Sequence, residues 1–321
     1  MGKKTNIEWC DSTINGSSGC DGCELWNAQV KTCYAGNLQT RRLSKSLPKL
    51  YSRDFSEVRM IPGRYAQAAS WSDLRGTDRP DKPWLNGLPR MIFVGELGDT
   101  FSRAVTDDFL TRELFGAITS KQGQRHFWML LTKRPSRLAD LAKKWGGLPD
   151  NVMAMTTITK QRAACVRVGQ LLEVPCRWRG LSVEPLLGPV SLLDTETGWP
   201  FCDLTGNHQI HLLICGGESG GKSARPMHPY WARNLRDECR AVNVPFFFKQ
   251  WGNWKPSDAQ PLRGIANGGG LFLKEDGHTG NQGDWWNGKA VAMDRLKKQE
   301  AGRLFGTWEH NGFPNLEGRA V

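Results

Sequence analysis

The sequence of 321 residues lacks any stretch of the about 20 apolar residues that a membrane-spanning helix needs. No apolar run follows the first five residues, so the sequence predicts no signal peptide or transit peptide. Internal repeats and low-complexity runs are also missing. We therefore expect no membrane partner and a cytoplasmic location, where thiols stay reduced.

Acidic residues are too few to balance the basic ones. The chain has 43 Lys and Arg against 32 Asp and Glu, which gives a net charge of +11 and an isoelectric point near 9.3. Such an excess favours a polyanionic partner, and nucleic acid is the first candidate. Basic stretches lie at residues 41–45, 160–167 and 295–298, and some of the 14 tryptophans could stack on bases.

Three cysteines, Cys20, Cys23 and Cys33, lie close together near the start of the chain, and Cys10 lies just upstream. In a reduced chain such a group indicates a metal or cluster site rather than a disulfide framework. Two alternatives follow from the residues. One is a [4Fe–4S] cluster with one iron left open, and the other is a zinc site completed by Cys10 or by a residue from elsewhere.

Short apolar runs alternate with helical patterns along most of the chain, which is typical of a parallel sheet covered by helices. Strands are predicted at residues 6–9, 91–94, 126–131, 152–157, 179–183, 210–215 and 245–248. Helices are predicted at residues 34–47, 107–121, 136–144 (capped by Ser136), 160–172 and 230–242. The prediction is an α/β fold, a full or partial (β/α) TIM-like barrel over residues 1–254 with an insertion at about 48–89. Residues 255–321 are predicted to form a loop or lid and a basic extension.

Polar residues follow nearly every predicted strand, at the edge where a barrel gathers its active site. They are Glu96, Asp99, Lys133, Arg134, Thr156, Glu184, Gly216, Gly217, Glu218 and Lys249. Charged groups at the ends of buried strands are costly unless they converge on a ligand or on each other. A ligand site is therefore predicted here, and internal ion pairs such as Glu184 with Lys249 are the alternative.

Several long motifs together resemble one protein family. They are residues 6–9, the cysteine loop ending in Cys33-Tyr34-Ala35, and residues 131–135, 181–190, 216–220, 224–229 and 247–252. Over about residues 5–315 the chain is similar to the phage and prophage radical-SAM-like family, long described only as phage proteins of unknown function. That family is distantly similar to spore photoproduct lyase, and the resemblance implies a partial barrel of radical SAM type with a C-terminal extension.

The resemblance implies two cofactors, a [4Fe–4S] cluster held by Cys20, Cys23 and Cys33, and S-adenosylmethionine bound at its open iron. Most radical SAM enzymes carry a C-x3-C-x2-C loop, whereas this chain has C-x2-C-x9-C. The first two ligands therefore stay open, and Cys10 could replace either.

The resemblance also implies roles for the strand-end residues. Glu96 or Asp99 would bind the methionine amine of S-adenosylmethionine. Lys133 and Arg134 would bind its carboxylate or a substrate phosphate. The other implied cofactor-binding residues are Thr156, Gly216 and Gly217. Glu184, Glu218 and Lys249 are the candidate catalytic residues. Substrate contacts fall to Arg225, His228, Trp285 and Trp286, although His228 could be only a helix cap.

The function implied is that of an isomerase that uses a 5′-deoxyadenosyl radical on an aminoacyl (glycyl-type) thymidine adduct during phage DNA hypermodification. It would act in the cytoplasm of an infected bacterial host on a flipped-out base, and it would need an electron donor. One alternative keeps the chemistry and changes the substrate to tRNA or to a DNA photoproduct. A second is a zinc-stabilised nucleic-acid-binding protein without catalysis.

Overall fold

The computed structural model describes residues 2–192, 210–257 and 270–316. In these residues the strands, in chain order, are β1 Ser12–Ile14, β2 Ser17–Ser18, β3 Arg59–Met60, β4 Met91–Val94, β5 Phe127–Thr132, β6 Val152–Thr157, β7 Trp178–Val183, β8 Leu212–Gly216, β9 Phe246–Gln250, β10 Trp254–Pro256, β11 Gly270–Lys274, β12 Thr279–Gly280 and β13 Ala290–Arg295.

The α-helices are α1 Tyr34–Leu38, α2 Ser44–Ser46, α3 Arg64–Ala69, α4 Asp107–Phe109, α5 Gly116–Thr119, α6 Pro135–Lys144, α7 Gln161–Leu172, α8 Pro229–Ala241 and the short helices Gln282–Trp286 and Lys298–Ala301. A π-helical segment, Gln39–Leu43, joins α1 to α2, and a second, Leu110–Phe115, joins α4 to α5. The predicted helices at 34–47 and 107–121 are therefore confirmed as composite helices.

Seven strands form the main sheet in the order β1-β4-β5-β6-β7-β8-β9. The pairs β1–β4, β4–β5, β5–β6 and β8–β9 are parallel. Among the described residues, helices lie between neighbouring strands of this sheet except between β7 and β8, where residues 193–209 are not described. The predicted α/β class is confirmed, and the sheet is compatible with a partial (β/α) barrel. The apolar strands are unbroken because they are buried on both faces, as β4 and β6 are throughout.

One compact unit contains the described residues up to Thr156, then Gln170–Gly180 and the residues from Pro314. It holds β1, β4, β5, β6 and a two-stranded sheet in which β2 pairs with β3. The first strand of the sheet is β1, so the prediction of a strand at residues 6–9 was wrong. The turn that precedes β1 occupies that place, and its polar groups bond to neighbouring chain.

The expected insertion at residues 48–89 is tied into this unit by a buried ion pair. Arg79 Nε donates to Asp11 Oδ1 at 2.9 Å, and the two side chains are only 7% and 8% exposed. Arg79 also donates to the carbonyls of Leu88 and Pro89, and Asp11 accepts from the backbone N–H of Met91, the first residue of β4. The pair therefore anchors the insertion to the amino end of the sheet.

The second compact unit contains Thr157–Gly169 and the described residues between Leu181 and Phe313. It includes β8, β9 and an antiparallel sheet of four strands in the order β10-β13-β11-β12. Ala224, Trp254, Leu273 and Met293 form the apolar cluster under this sheet. The expectation of a loop over 255–290 was wrong for residues 270–280, which contain β11 and β12. Residues 258–269 and 317–321 of the predicted C-terminal region lie outside the described residues.

Helix α6 begins at Pro135, and its N-cap is Arg134, which makes no side-chain capping bond. The prediction that Ser136 caps this helix was wrong because the preceding proline already starts the helix at its first turn. No helix of the described residues is both long enough and apolar enough to cross a membrane.

The buried Asp11–Arg79 pair gives a direct test of this anchoring. We expect Arg79→Ala to lower the free energy of unfolding by about 3–5 kcal/mol, because it leaves the Asp11 carboxylate buried without its cation. The matched control is Arg75→Ala, which removes a largely exposed pair with Asp73 and should cost about 1 kcal/mol or less. Urea denaturation of both variants measures the difference, and equal costs would refute the anchoring role.

Candidate functional site

The cysteine loop follows β2 in the first compact unit. Gly19 donates its backbone N–H to Gln39 Oε1 at 3.0 Å, and Cys20 donates its own to the carbonyl of Phe55 at 2.8 Å. Cys33 is the N-cap residue of α1, so the loop ends where that helix begins. Bonds to Gln39 and Phe55 therefore hold the start of the loop, and the Cys33 N–H at its other end donates to the Leu25 carbonyl.

The three thiols lie in one environment. Cys20 and Cys33 pack into one apolar cluster with Trp26, Ala35 and Phe55. Burial raises the pKa of Cys20 to about 11 and also raises the pKa of Cys33, and the neighbouring thiolate of Cys23 adds to both shifts. In the described residues none of the three forms a disulfide. The bare thiols of Cys20 and Cys33 are therefore protonated near neutral pH.

Arg134, at the end of β5, holds the cysteine loop in place. Its guanidinium pairs with Asp21 in the loop and donates to the carbonyl of Gly22 at 2.8 Å. It also donates to Asp99 Oδ2 at 2.7 Å. The planar fork of an arginine can serve several acceptors at once, and here it joins the loop to the residues that follow β4 and β5.

Asp99 has its carboxylate oxygens fully engaged by the protein. Oδ1 accepts from the Thr132 hydroxyl and the Phe101 N–H, and Oδ2 accepts from the Lys133 N–H and from Arg134. These four donors leave little acceptor capacity for a methionine amine. In the structure Asp99 and Arg134 anchor the cysteine loop, and their cofactor-binding roles stay predictions.

A close glycine contact brings the cysteine loop against the segment after β4. Gly19 and Gly98 form a parallel β-bridge. A Cβ atom on Gly98 would lie 2.5 Å from the carbonyl oxygen of Gly19, a distance that real side chains do not tolerate. The loop can approach the segment after β4 only because Gly98 lacks a side chain, and a Cβ on Gly19 would lie 2.3 Å from the Glu57 carbonyl oxygen.

Lys133 lies near the thiols, and Glu96 follows β4. The positive charge of Lys133 lowers the pKa of Cys33, which opposes the effect of burial, so the ammonium lies near that thiol. Burial raises the pKa of Tyr51, while a hydrogen bond from Arg64 lowers it and the Glu96 carboxylate raises it. Glu96 therefore lies near a Tyr51–Arg64 pair. The sequence analysis missed this pair because both residues come from the irregular segment 48–89, which carries no motif.

Cys10 lies away from the loop. It precedes β1, whereas the loop follows β1 and β2, so the strand separates Cys10 from Cys20. The carbonyl of Cys10 accepts from Lys82 Nζ at 2.6 Å, and Lys82 also bonds the carbonyls of Thr5 and Ile7. This placement at the amino end of the sheet does not bring Cys10 to the other three thiols.

The donors that the loop offers are three thiols, the ligand type of both zinc sites and iron–sulfur clusters. Within the described residues, no three His, Cys, Asp or Glu side chains converge closely enough to hold one metal ion. The thiolates of a four-iron cluster each bind a different iron, so they need not meet at one point. Three reduced thiols near one another, beside the Lys133 cation, therefore fit a cluster with three protein ligands.

Thr156 donates to the Thr132 carbonyl at 2.8 Å and is fully buried, so it belongs to the sheet.

Two ion pairs occupy the predicted catalytic residues of the second unit. Lys249 Nζ lies 2.5 Å from Glu184 Oε1, and both side chains are largely buried. Arg225 pairs with Glu218 at 2.6 Å and also donates its backbone N–H to that carboxylate. The alternative of internal pairing is thus realised for Glu184 and Lys249, and Arg225 is engaged as well.

Gly216 and Gly217 lie at the carboxyl end of β8, in tight backbone contacts. A Cβ on Gly216 would lie 3.4 Å from the Glu184 side chain, and one on Gly217 would lie 2.0 Å from the Trp251 carbonyl oxygen. Gln250 donates to the Gly217 carbonyl at 2.8 Å and is buried. The missing side chain at Gly217 therefore lets two backbone segments come close together. Gly216 lies next to the Glu184–Lys249 pair.

His228 caps the N-terminus of helix α8. His228 Nδ1 accepts from the Tyr230 N–H at the start of α8, and its side chain is buried. Burial, with Arg233 nearby, lowers the pKa of His228 to about 4, so it is neutral at pH 7 and poorly suited to hold phosphate.

Trp285 packs on Phe272 and touches Trp286, whose side chain is 66% exposed. Trp286 is the better placed of the two to stack on a base.

Comparison with known proteins gives one family. Residues 4–314 match the family model described as "Protein of unknown function (DUF5131)". No curated protein and no solved structure matches the chain.

From the bonds of Arg134 to Asp21, Gly22 and Asp99 we predict how the cysteine loop responds to a conservative substitution at Arg134. We expect Arg134→Lys to speed alkylation of Cys20 in the metal-free protein by about tenfold or more, because a lysine cannot replace hydrogen bonds worth about 1.5–3 kcal/mol each to charged partners. Mass spectrometry of the alkylated peptide measures the rate. Arg112→Lys, which changes an exposed pair with Asp108, is the control and should leave the rate unchanged. An unchanged rate in Arg134→Lys would mean that the loop does not depend on these bonds.

The His228 cap predicts a pH dependence of stability. The unfolded chain protonates His228 below about pH 6.5, whereas the folded chain does so only near pH 4. More protons bind to the unfolded state in that window, so the contribution of His228 is present above pH 6.5 and is lost as the pH falls towards 4.

Between pH 6.5 and 4, we expect the free energy of unfolding of His228→Asn, which keeps a good N-cap, to fall by about 2 kcal/mol less than that of the wild type. Urea denaturation at several pH values measures it. The control His278→Asn changes an exposed histidine and should leave the profile of the wild type in place. If the stability of His228→Asn depends on pH as strongly as that of the wild type, the assignment of His228 as a buried, neutral cap is wrong.

Proposed function

This chain belongs to the family described as "Protein of unknown function (DUF5131)", and we propose that it is a radical S-adenosylmethionine enzyme with a [4Fe–4S] cluster. The observation that carries the proposal is the grouping of Cys20, Cys23 and Cys33 in one loop that the protein itself holds against the sheet. The resemblance of the long motifs to the phage radical-SAM-like family supports the same conclusion.

In this proposal the three thiols hold the cluster. The raised pKa values of Cys20 and Cys33 mean that protons must leave these thiols as iron binds, and the nearby cations Arg134 and Lys133 favour their thiolate forms. When bound, the cluster would supply an electron to S-adenosylmethionine and so start radical chemistry. The chain contributes the position of the loop and the exclusion of water around the buried Cys20 and Cys33.

Two residues remain as ligands for the methionine part of S-adenosylmethionine. Lys133 lies near Cys33 and is suited to the carboxylate, and Glu96 after β4 is suited to the ammonium group. Opposite charges on two neighbouring strand ends complement the two charges of an amino acid. Asp99 and Arg134 orient the loop and leave this binding to the other two residues.

The proposed substrate is a nucleic-acid base, and more narrowly an aminoacyl-thymidine adduct in phage DNA. The net charge of +11 favours a polyanion, and the exposed Trp286 offers a surface on which a base could stack. Chemistry on a base requires that the base leave the duplex stack. The resemblance to the phage family supports thymidine as the base and the cytoplasm of an infected bacterial host as the location, with an electron donor as partner.

Glu184, Glu218 and Lys249 remain the proposed catalytic residues. Glu184 and Lys249 form a largely buried pair, which an incoming amine or carboxylate of matching charge could open. An aminoacyl adduct carries such a group, so this pair suits that substrate better than an unmodified base. Arg225 holds Glu218 and thereby limits the directions from which a substrate can reach that carboxylate.

The cysteines give the test of the cluster. Reconstituted without oxygen, the wild type should bind about four irons per chain and show the broad visible absorption of an iron–sulfur protein. Cys20→Ser, Cys23→Ser and Cys33→Ser should each lose most of the iron and abolish reductive cleavage of S-adenosylmethionine. The matched control Cys10→Ser should keep both, because Cys10 lies at the other end of β1. A colourless protein with one zinc would refute the enzyme and favour the zinc-stabilised binding protein.

The same proteins identify the substrate. Nucleosides from phage DNA treated with wild type and with Cys33→Ser are compared by mass spectrometry. An isomer of an aminoacyl-thymidine adduct that forms only with the wild type supports the narrower proposal. A product found only in tRNA, or only in irradiated DNA, would keep the radical chemistry and overturn the assigned substrate.

A further inference from the structure

A polar cavity of about 300 Å³ lies beside the cysteine loop in the first unit. Its lining residues are Asp21, Gly22, Arg103, Arg134, Ser136 and Arg137. The first two lie between Cys20 and Cys23, Arg103 follows β4, and the last three open helix α6. A volume of this size is at the lower end of the range for ligand sites in proteins, and it suits a small ionic group.

The lining carries three guanidinium groups against one carboxylate. Arg134 is engaged by Asp21, Asp99 and Gly22, and Arg137 bonds Asp107 and the carbonyls of the segment after β4. Arg103 differs from both, because within the described part of the chain its guanidinium has no ion pair. Only its backbone N–H is engaged, and it donates to Asp21 Oδ2 at 3.0 Å. The cavity therefore has a net positive lining and one cation that remains available to a ligand.

Helix α6 adds donors at the same place. The helix has ten residues, and no side chain caps its N-terminus. Its first residue is Pro135, which has no N–H, and the next N–H groups of the first turn have no partner within the helix. Ser136 lines the cavity at this helix end. The partial positive charge of a helix N-terminus attracts anions. Cavity, arginines and helix end thus all favour one kind of ligand, an anion with several acceptor oxygens.

We propose that this cavity binds a phosphate group through Arg103, Ser136 and the start of α6. Asp21 and Gly22 separate Cys20 from Cys23, so a phosphate bound here would place its attached residue next to the cysteine loop. The expectation that the phosphate belongs to a nucleic-acid strand rests on the proposed function. A phosphodiester and a small phosphate compound share the same recognition chemistry, and the experiment separates these two sources.

The test uses the full chain without iron and a fluorescent single-stranded thymidine oligonucleotide. Arg103→Gln should weaken binding roughly tenfold and reduce the slope of log K against log salt by about 0.7, the value for one phosphate contact on a single strand. The matched control is Lys121→Gln, which removes one charge at an exposed site before β5, at the amino end of that strand. It should leave affinity and slope nearly unchanged.

A second variant protects the test against loss of folding. Ser136→Asp places a carboxylate in the first turn of α6, where a negative charge favours the helix and repels a phosphate. It should weaken oligonucleotide binding without lowering the melting temperature. If Ser136→Asp and Arg103→Gln both bind like the wild type, the phosphate site is refuted.

Inorganic pyrophosphate provides the second arm. Weakening of oligonucleotide binding by Arg103→Gln supports a strand phosphate, and weakening of pyrophosphate binding alone supports a small phosphate compound. Binding of both that is independent of Arg103 overturns the proposal. Because these measurements need no cluster, loss of iron binding in the reconstitution experiment would refute the proposed function without touching the phosphate site.

Discussion

The guanidinium of Arg134 is the contact on which the arrangement of the candidate site depends. It joins Asp21 and Gly22 of the cysteine loop to Asp99, which in turn holds the residues that end β5. The side chains of Arg134 and Asp99 are largely buried, so neither charge would be stable without the other. The sheet, the loop and the three thiols are thus positioned by one small network of charge-assisted hydrogen bonds.

This network also explains why the strand ends carry so many charges. A carboxylate beyond an apolar strand was expected to meet a ligand, yet Asp99 meets four donors of its own chain, and Glu218 meets Arg225. Such internal pairing uses charges to fix loops at the carboxyl edge of a parallel sheet. The groups left for ligands are fewer than the sequence suggests. The clearest of them are Lys133, near the Cys33 thiol, and Glu96, after β4.

The fold was predictable wherever burial governs the sequence pattern. Strands β4 to β9 are short apolar runs, and they were predicted within about two residues because both of their faces are buried. Strand β1 was misplaced because only three residues pair there, too few for a pattern. Strands β11 and β12 lie in a Gly- and Asp-rich region, where composition predicts loops even though antiparallel pairing forms.

The site was predictable only where the chemistry is local in sequence. Three cysteines in one loop can be read directly, and their grouping in the structure agrees with that reading. Which charges pair depends on contacts between distant segments, such as Asp21 and Arg134, which are 113 positions apart, and no local pattern encodes them. Tyr51 and Arg64 were missed for the same reason.

The way the loop is held bears on the choice between iron and zinc. A structural zinc site supplies the folding energy of its own loop, and such loops are unfolded without the metal. Here the loop is bonded by Gln39, Phe55 and Arg134, and its thiols pack on aromatic rings. These contacts are made by the chain itself, so a zinc ion would not be the sole source of the loop's folding energy. This is why we propose a cofactor with a chemical role and not a structural zinc.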